Sequence, residues 1–159
     1  MALHTYTVKV RQNKGGLGGE EGRVGTLSEP NNPNFPSIVV QTPAEFNGPA
    51  APNGSSEDWT PEDLYVSSVA VCLFTTFVKI AENSRLKYES FEVTAQGKIE
   101  EDETIGNWIS QIDQSVRVEV SQEKYAKKAA RIVEKAEENC LIAKSMKTKV
   151  SINIDVEVV

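Results

Sequence analysis

The sequence predicts an α+β fold, and three observations predict it. Apolar residues recur at helical spacing in two segments, they alternate with polar residues in several others, and the early alternating segments are close enough together to form hairpins. The chain has 159 residues, which suits a single domain, 1-159, with a core large enough to stand without staples. With 39% hydrophobic and 25% charged residues, the composition is that of a globular chain rather than a disordered one.

The elements follow in order. Thr5 to Arg11 alternates, which places Tyr6, Val8 and Val10 on one face of a strand. Asn13 to Gly19 is rich in glycine but lacks the Gly-Lys-Ser/Thr ending and the GxGxxG spacing of phosphate loops, so it is expected to be a hairpin turn. A second strand is expected over Glu21 to Leu27. From Ser28 to Thr60 the chain carries six of its seven prolines, which excludes a long helix. One short strand, Ser37 to Gln41, fits inside this stretch. A loop of this length, carrying Phe35, Phe46 and Trp59, is expected to cover a site.

The strongest local signal is a helix start. Thr60 stands as N-cap, Pro61 at the first helical position, and Glu62 and Asp63 in the first turn. Trp59 and Leu64 occupy the positions of a hydrophobic staple. The helix should run to about Asn83, apolar on nearly every side and therefore central. Its apolar stretch is interrupted by Ser67, Ser68, Thr75, Thr76 and Lys79 and is expected to be too short for a bilayer span. Strands Ser90 to Glu100 and Trp108 to Val120 follow. A second helix begins near Ser121 and aligns Tyr125, Ala129, Ile132, Val133, Ala136 and Cys140 on one face. Lys149 to Val158 closes the chain as a strand, and antiparallel pairing is expected.

Charge and cysteine content narrow the function classes. Seventeen basic against 23 acidic residues leave a formal net charge of -6, a poor match to nucleic acid or anionic membranes. The first residues show no export signal, so the expected compartment is the cytoplasm. Two cysteines and one histidine, His4, make a poor metal set. No metal and no cofactor is expected, but two thiols can carry redox chemistry.

Three stretches together resemble the OsmC/Ohr family: Thr60-Pro-Glu-Asp-Leu-Tyr-Val-Ser-Ser-Val-Ala-Val-Cys72, then Phe91-Glu-Val-Thr-Ala-Gln-Gly97, then Ala136-Glu-Glu-Asn-Cys140 ahead of the last strand. Ala50-Ala-Pro-Asn-Gly and Gly22-Arg-Val-Gly25 are similar to its loop before the helix and its arginine-bearing strand. One departure stands out: Leu141, Ile142 and Ala143 follow the second cysteine, where the family usually has a proline and then a serine. The resemblance implies an intertwined homodimer and a thiol peroxidase acting on organic hydroperoxides. Cys72 matches the peroxidatic thiol, Cys140 the resolving thiol, Glu62 the acid and Arg23 the arginine beside the thiol. A small or protein-bound dithiol would be the reductant. A noncatalytic small-ligand-binding protein on the same fold is the alternative.

Elementary chemistry bears on these roles. An ordinary thiol is only slightly ionised at neutral pH, and the thiolate is the attacking species. Cys72 lies too deep in its helix for the N-terminal dipole to help, which calls for a cation. Arg23 from a strand suits this better than Lys79, because a guanidinium can bond thiolate and peroxide oxygen together. Glu62 and Cys72 are ten residues apart on one helix, or ~15 Å, so a site that uses both is expected to be completed across a dimer interface. Each residue also has an ordinary structural explanation: Cys72 as a small core residue, Glu62 as a dipole-matching acid, Arg23 as a surface charge.

Overall fold

The computed structural model describes residues 4–12, 20–32 and 34–159. It divides into two compact units, Met1–Leu64 and Tyr65–Val159.

The first unit holds a three-stranded antiparallel sheet, β1 (Lys9–Gln12), β2 (Val24–Ser28) and β3 (Ile38–Gln41), in that order. The first strand is shorter than its alternation implied, and Tyr6 and Val8, 90% and 70% exposed, lie ahead of it. The expected turn at Asn13 to Gly19 lies outside the described residues. Arg23 does not sit within a strand: it ends a 3-10 turn, Glu20–Arg23, immediately before β2. Gly22 lies within that turn and weakens any extended preference there.

The proline-rich excursion after β3 is tied back by one side chain. Gln41, 4% exposed, donates from Nε2 to the carbonyls of Thr42 (3.2 Å) and Pro49 (2.7 Å) and accepts from the Asp58 amide at Oε1 (3.0 Å). Its own amide donates to the Trp59 carbonyl at 2.9 Å. Both limbs of the loop, which also holds a 3-10 turn at Ala44–Phe46, are therefore bonded to the end of β3, and these bonds satisfy part of its backbone.

Helix α1, Pro61–Asn83, starts where the capping signals place it. Thr60 Oγ1 accepts from the Asp63 amide at 3.2 Å, while Asp63 Oδ2 accepts from the Thr60 amide at 3.0 Å and hydroxyl at 2.8 Å. This is a capping box built with aspartate.

The second unit is a three-stranded sheet, β4 (Ser90–Asp102), β5 (Gly106–Val120) and β6 (Lys149–Val158), with helices α2 (Glu123–Glu138) and α3 (Leu141–Ser145). The β4–β5 pair is antiparallel with a register shift at Lys98/Ile99, and β5–β6 is parallel. The parallel pair departs from the expected antiparallel pattern because α2 lies between its strands in the chain, and a crossover helix returns the chain in the same direction. Ile112, Gln114, Val116, Val118 and Val120 of β5 are all buried, alternating with exposed or half-buried neighbours. The core adds Leu73, Phe77 and Ala81 of α1 and Ala129, Ile132, Val133 and Ala136 of α2.

Helix α1 is not buried all round. Val69, Leu73, Phe77 and Ala81, four residues apart, are 0–1% exposed, whereas Val71 is 58% and Phe74 45% exposed. At 23 residues it is long and apolar enough, by length and composition alone, to cross a membrane, contrary to the expectation that the stretch is too short. Its buried stripe packs on β4 instead: the Phe77 ring stacks on Phe91 with centroids 4.3 Å apart and meets Tyr88 edge-on at 5.2 Å.

Candidate active site

Cys72 and Cys140 are 68 residues apart (140 minus 72) and meet within the second unit, where their side chains are hydrogen-bonded. Cys72 is on the middle of α1 and half-buried; Cys140 is 1% exposed. The second cysteine does not extend α2. It caps α3, with φ -65° and ψ 109°, and its Sγ accepts from the Ala143 amide at 3.4 Å. The first turn of α3 therefore opens beside Cys72, and the backbone N–H groups of Ile142 and Leu141 bond to the Cys72 sulfur together with the Cys140 thiol and the Thr76 side chain.

These contacts make the two thiols unequal. Burial raises the Cys72 thiol, but the hydrogen bonds from Ile142, Cys140, Leu141 and Thr76 outweigh it and bring Cys72 below its ordinary value. Burial also raises Cys140, and the Cys72 sulfur beside it adds to the rise against the Ala143 amide. Cys72 is therefore the more acidic of the two thiols, with Cys140 beside it the less acidic. Such a pair presents a nucleophilic sulfur next to a protonated one, the arrangement needed to make a sulfenic acid and then close a disulfide.

The cation that the sequence called for is thus matched here by neutral donors. Thr76 was not among the expected site residues, although its spacing of four from Cys72 sets it on the same helix face. Nor were the amides of Leu141 and Ile142, because the periodicity carries α2 on to Cys140 and gives no sign of a new helix start.

Arg23 and Glu62 belong to the first unit. Arg23 is exposed, and its Nη1 donates to the Phe46 carbonyl at 3.2 Å. It lines a cavity of about 550 Å³ whose walls include Val10, Val24, Leu27, Val40 and Leu64. Glu62 lies in the first turn of α1 with Oε2 buried and without a hydrogen-bond partner. Among the described residues the two form no ion pair. No group of three His, Cys, Asp or Glu side chains suited to a metal occurs among the described residues.

Among the described residues, two three-stranded sheets, two main helices and a half-buried cysteine beside a buried one define the class as a mixed α+β fold. The family described as OsmC-like protein matches residues 54–155, and the chain belongs to that family. Among curated proteins no sequence matches it. Solved structures share its fold at low identity. An OsmC-like protein of unknown function from Vibrio cholerae aligns with TM-score 0.74 at 18% identity, over 96% of this chain and 100% of the other. An organic hydroperoxide resistance protein from Elizabethkingia anophelis aligns at 0.69 and 17%, over 99% of each. The organic hydroperoxide resistance protein OhrB of Bacillus subtilis aligns at 0.63 and 22%, over 98% and 100%.

Proposed function

We propose that the protein is a thiol peroxidase that reduces organic hydroperoxides. The Cys72 thiolate attacks the peroxide oxygen, the O–O bond breaks, and the alkoxide leaves and is protonated to the alcohol. Cys72 is left as a sulfenic acid. The Cys140 sulfur then attacks it; the S–S bond forms as the S–O bond breaks, and the hydroxyl leaves with the Cys140 proton as water. A small or protein-bound dithiol restores both thiols by exchange. Arg23 orients the peroxide and Glu62 orients Arg23, in a site completed by a second copy of the chain in a homodimer.

The observation that carries this reading is the hydrogen-bonded Cys72–Cys140 pair with Cys72 the more acidic. The hydroperoxide resistance proteins that share the fold support the choice of oxidant. Stoichiometric cumene hydroperoxide should consume both thiols and leave one Cys72–Cys140 disulfide by peptide mapping. In Cys140→Ser a sulfenic acid should accumulate instead. Thiol loss no faster than that of free cysteine, with no crosslink, would point to a noncatalytic ligand-binding protein.

A further inference from the structure

Gln114 is a polar side chain among the buried apolar residues of β5. It is 2% exposed on β5, between Ile112 and Val116 on the face that packs against the helices, and its Oε1 has no hydrogen-bond partner. Among the described residues of 65–159 it is the buried side-chain oxygen left unpaired. Burying an amide oxygen unpaired is costly, and an apolar residue of similar shape would remove the cost.

The packing of α1 sets Gln114 and Cys72 at a similar level along the sheet. Near the start of α1, Val66 lies against Gly97, which pairs with Ile112. Further along, Phe77 stacks on Phe91, which pairs with Val118. Between those two points the helix advances over β5 from residue 112 to residue 118. Cys72 falls midway on the helix, and Gln114 falls within the same interval on the strand. Cys140 is bonded to Cys72 and is itself 1% exposed.

The chemistry of disulfide closure creates a need at this level. While Cys72 is a thiolate it accepts the Cys140 S–H. Once Cys72 is a sulfenic acid, Cys140 must present a lone pair to it, so its S–H turns away from Cys72 at a residue only 1% exposed. We propose that Gln114 is the positioning residue of the resolving thiol, its Oε1 taking the Cys140 S–H as that sulfur turns to attack Cys72. This rests on the two-thiol reading, and it adds a residue whose only polar task is to accept a hydrogen bond from that S–H and so aim the sulfur lone pair at Cys72; as the S–S bond forms Cys140 gives up its proton, and the departing hydroxide takes up a proton to leave as water.

The test loads the sulfenic acid with excess hydrogen peroxide, so it does not depend on how fast organic hydroperoxides react. Dimedone present in the mixture competes with Cys140 for the sulfenic acid, and mass spectrometry reads the ratio of disulfide to adduct. In Gln114→Met and Gln114→Leu that ratio should fall about tenfold or more, with a melting temperature equal to or above that of the wild type. Gln114→Glu, which restores an oxygen acceptor, should recover most of it. An unchanged ratio in folded Gln114→Met and Gln114→Leu would overturn the assignment, as would a fall that Gln114→Glu does not reverse. A normal ratio in the wild type with no acceleration by cumene hydroperoxide would overturn the peroxidase reading alone. A wild-type sulfenic acid that never closes to a disulfide would overturn both.

Discussion

At the scale of single residues the acidity of Cys72 is set by donors that can be removed one at a time. Leu141 occupies the first position of α3, where proline is tolerated because its missing N–H would have no partner within the helix. Leu141→Pro therefore deletes one donor to sulfur with little cost to the helix, and Thr76→Val deletes another. These donors favour the charged form of the sulfur, so each change should raise the Cys72 pKa. Because only the thiolate is alkylated, the rate in the native protein should level off at a lower pH than for an ordinary thiol, and the variants should need a higher pH. Iodoacetamide labelling of Cys72 against pH checks this; coincident curves would mean that the amides of α3 do not govern the thiolate.

Arg23 is tested on the same scale through a different readout. It is bonded to a neutral carbonyl, which leaves guanidinium donors for a peroxide oxygen or a carboxylate. Arg23→Ala should slow peroxide consumption by roughly 10–100-fold, the equivalent of one charge-assisted hydrogen bond. Arg23→Lys should restore little, since a point charge lacks the planar fork, and Lys79→Ala should have a much smaller effect. Stopped-flow thiol oxidation by cumene hydroperoxide measures all three. Unchanged rates in Arg23→Ala would show that the thiol pair works without this arginine.

At the scale of elements, the approach of α1 to β4 depends on one missing side chain. A Cβ at Gly97 would sit 2.6 Å from Val66 Cγ2, and a β-branched residue in a helix has little rotamer freedom with which to yield. Gly97→Ala should cost ~1–3 kcal/mol by overpacking and lower the melting temperature by about 2–10 °C. Val66→Ala in the same chain should recover much of the loss, because it removes the methyl that the new Cβ meets. Thermal unfolding of the single and double variants decides this. Additive losses would show that the contact does not limit the packing of the helix.

At the scale of the whole molecule, α1 carries an apolar face that the single chain leaves open. Val71 and Phe74 are 58% and 45% exposed beside a fully buried stripe, and Leu141 at the start of α3 is 68% exposed. Exposed apolar residues grouped on one helix mark an interface, and a twofold partner is the simplest occupant. The protein should sediment as a dimer at micromolar concentration, and Phe74→Asp should shift it toward monomer with loss of peroxide consumption. A monomeric wild type that retains activity would defeat the proposal.

What the sequence determined by itself follows from rules that act over a few residues. The start of α1 was legible from Thr60 to Asp63 because caps, N1 proline and acidic first turns satisfy local amides and dipoles. The bounds of β6 were legible from strict alternation. Cys72 and Cys140 stood out as the candidate thiols from the motifs around them. Tertiary structure decided what depends on distant partners. The parallel pairing of β6, the exposed face of α1, the break that turns Cys140 into a cap, and the amides of Leu141 and Ile142 at the Cys72 sulfur all arise where segments remote in sequence are packed together. Hydrophobic spacing says which face of an element is buried; it is silent on what that face is buried against, and at this site the opposing groups set the acidity of the thiol.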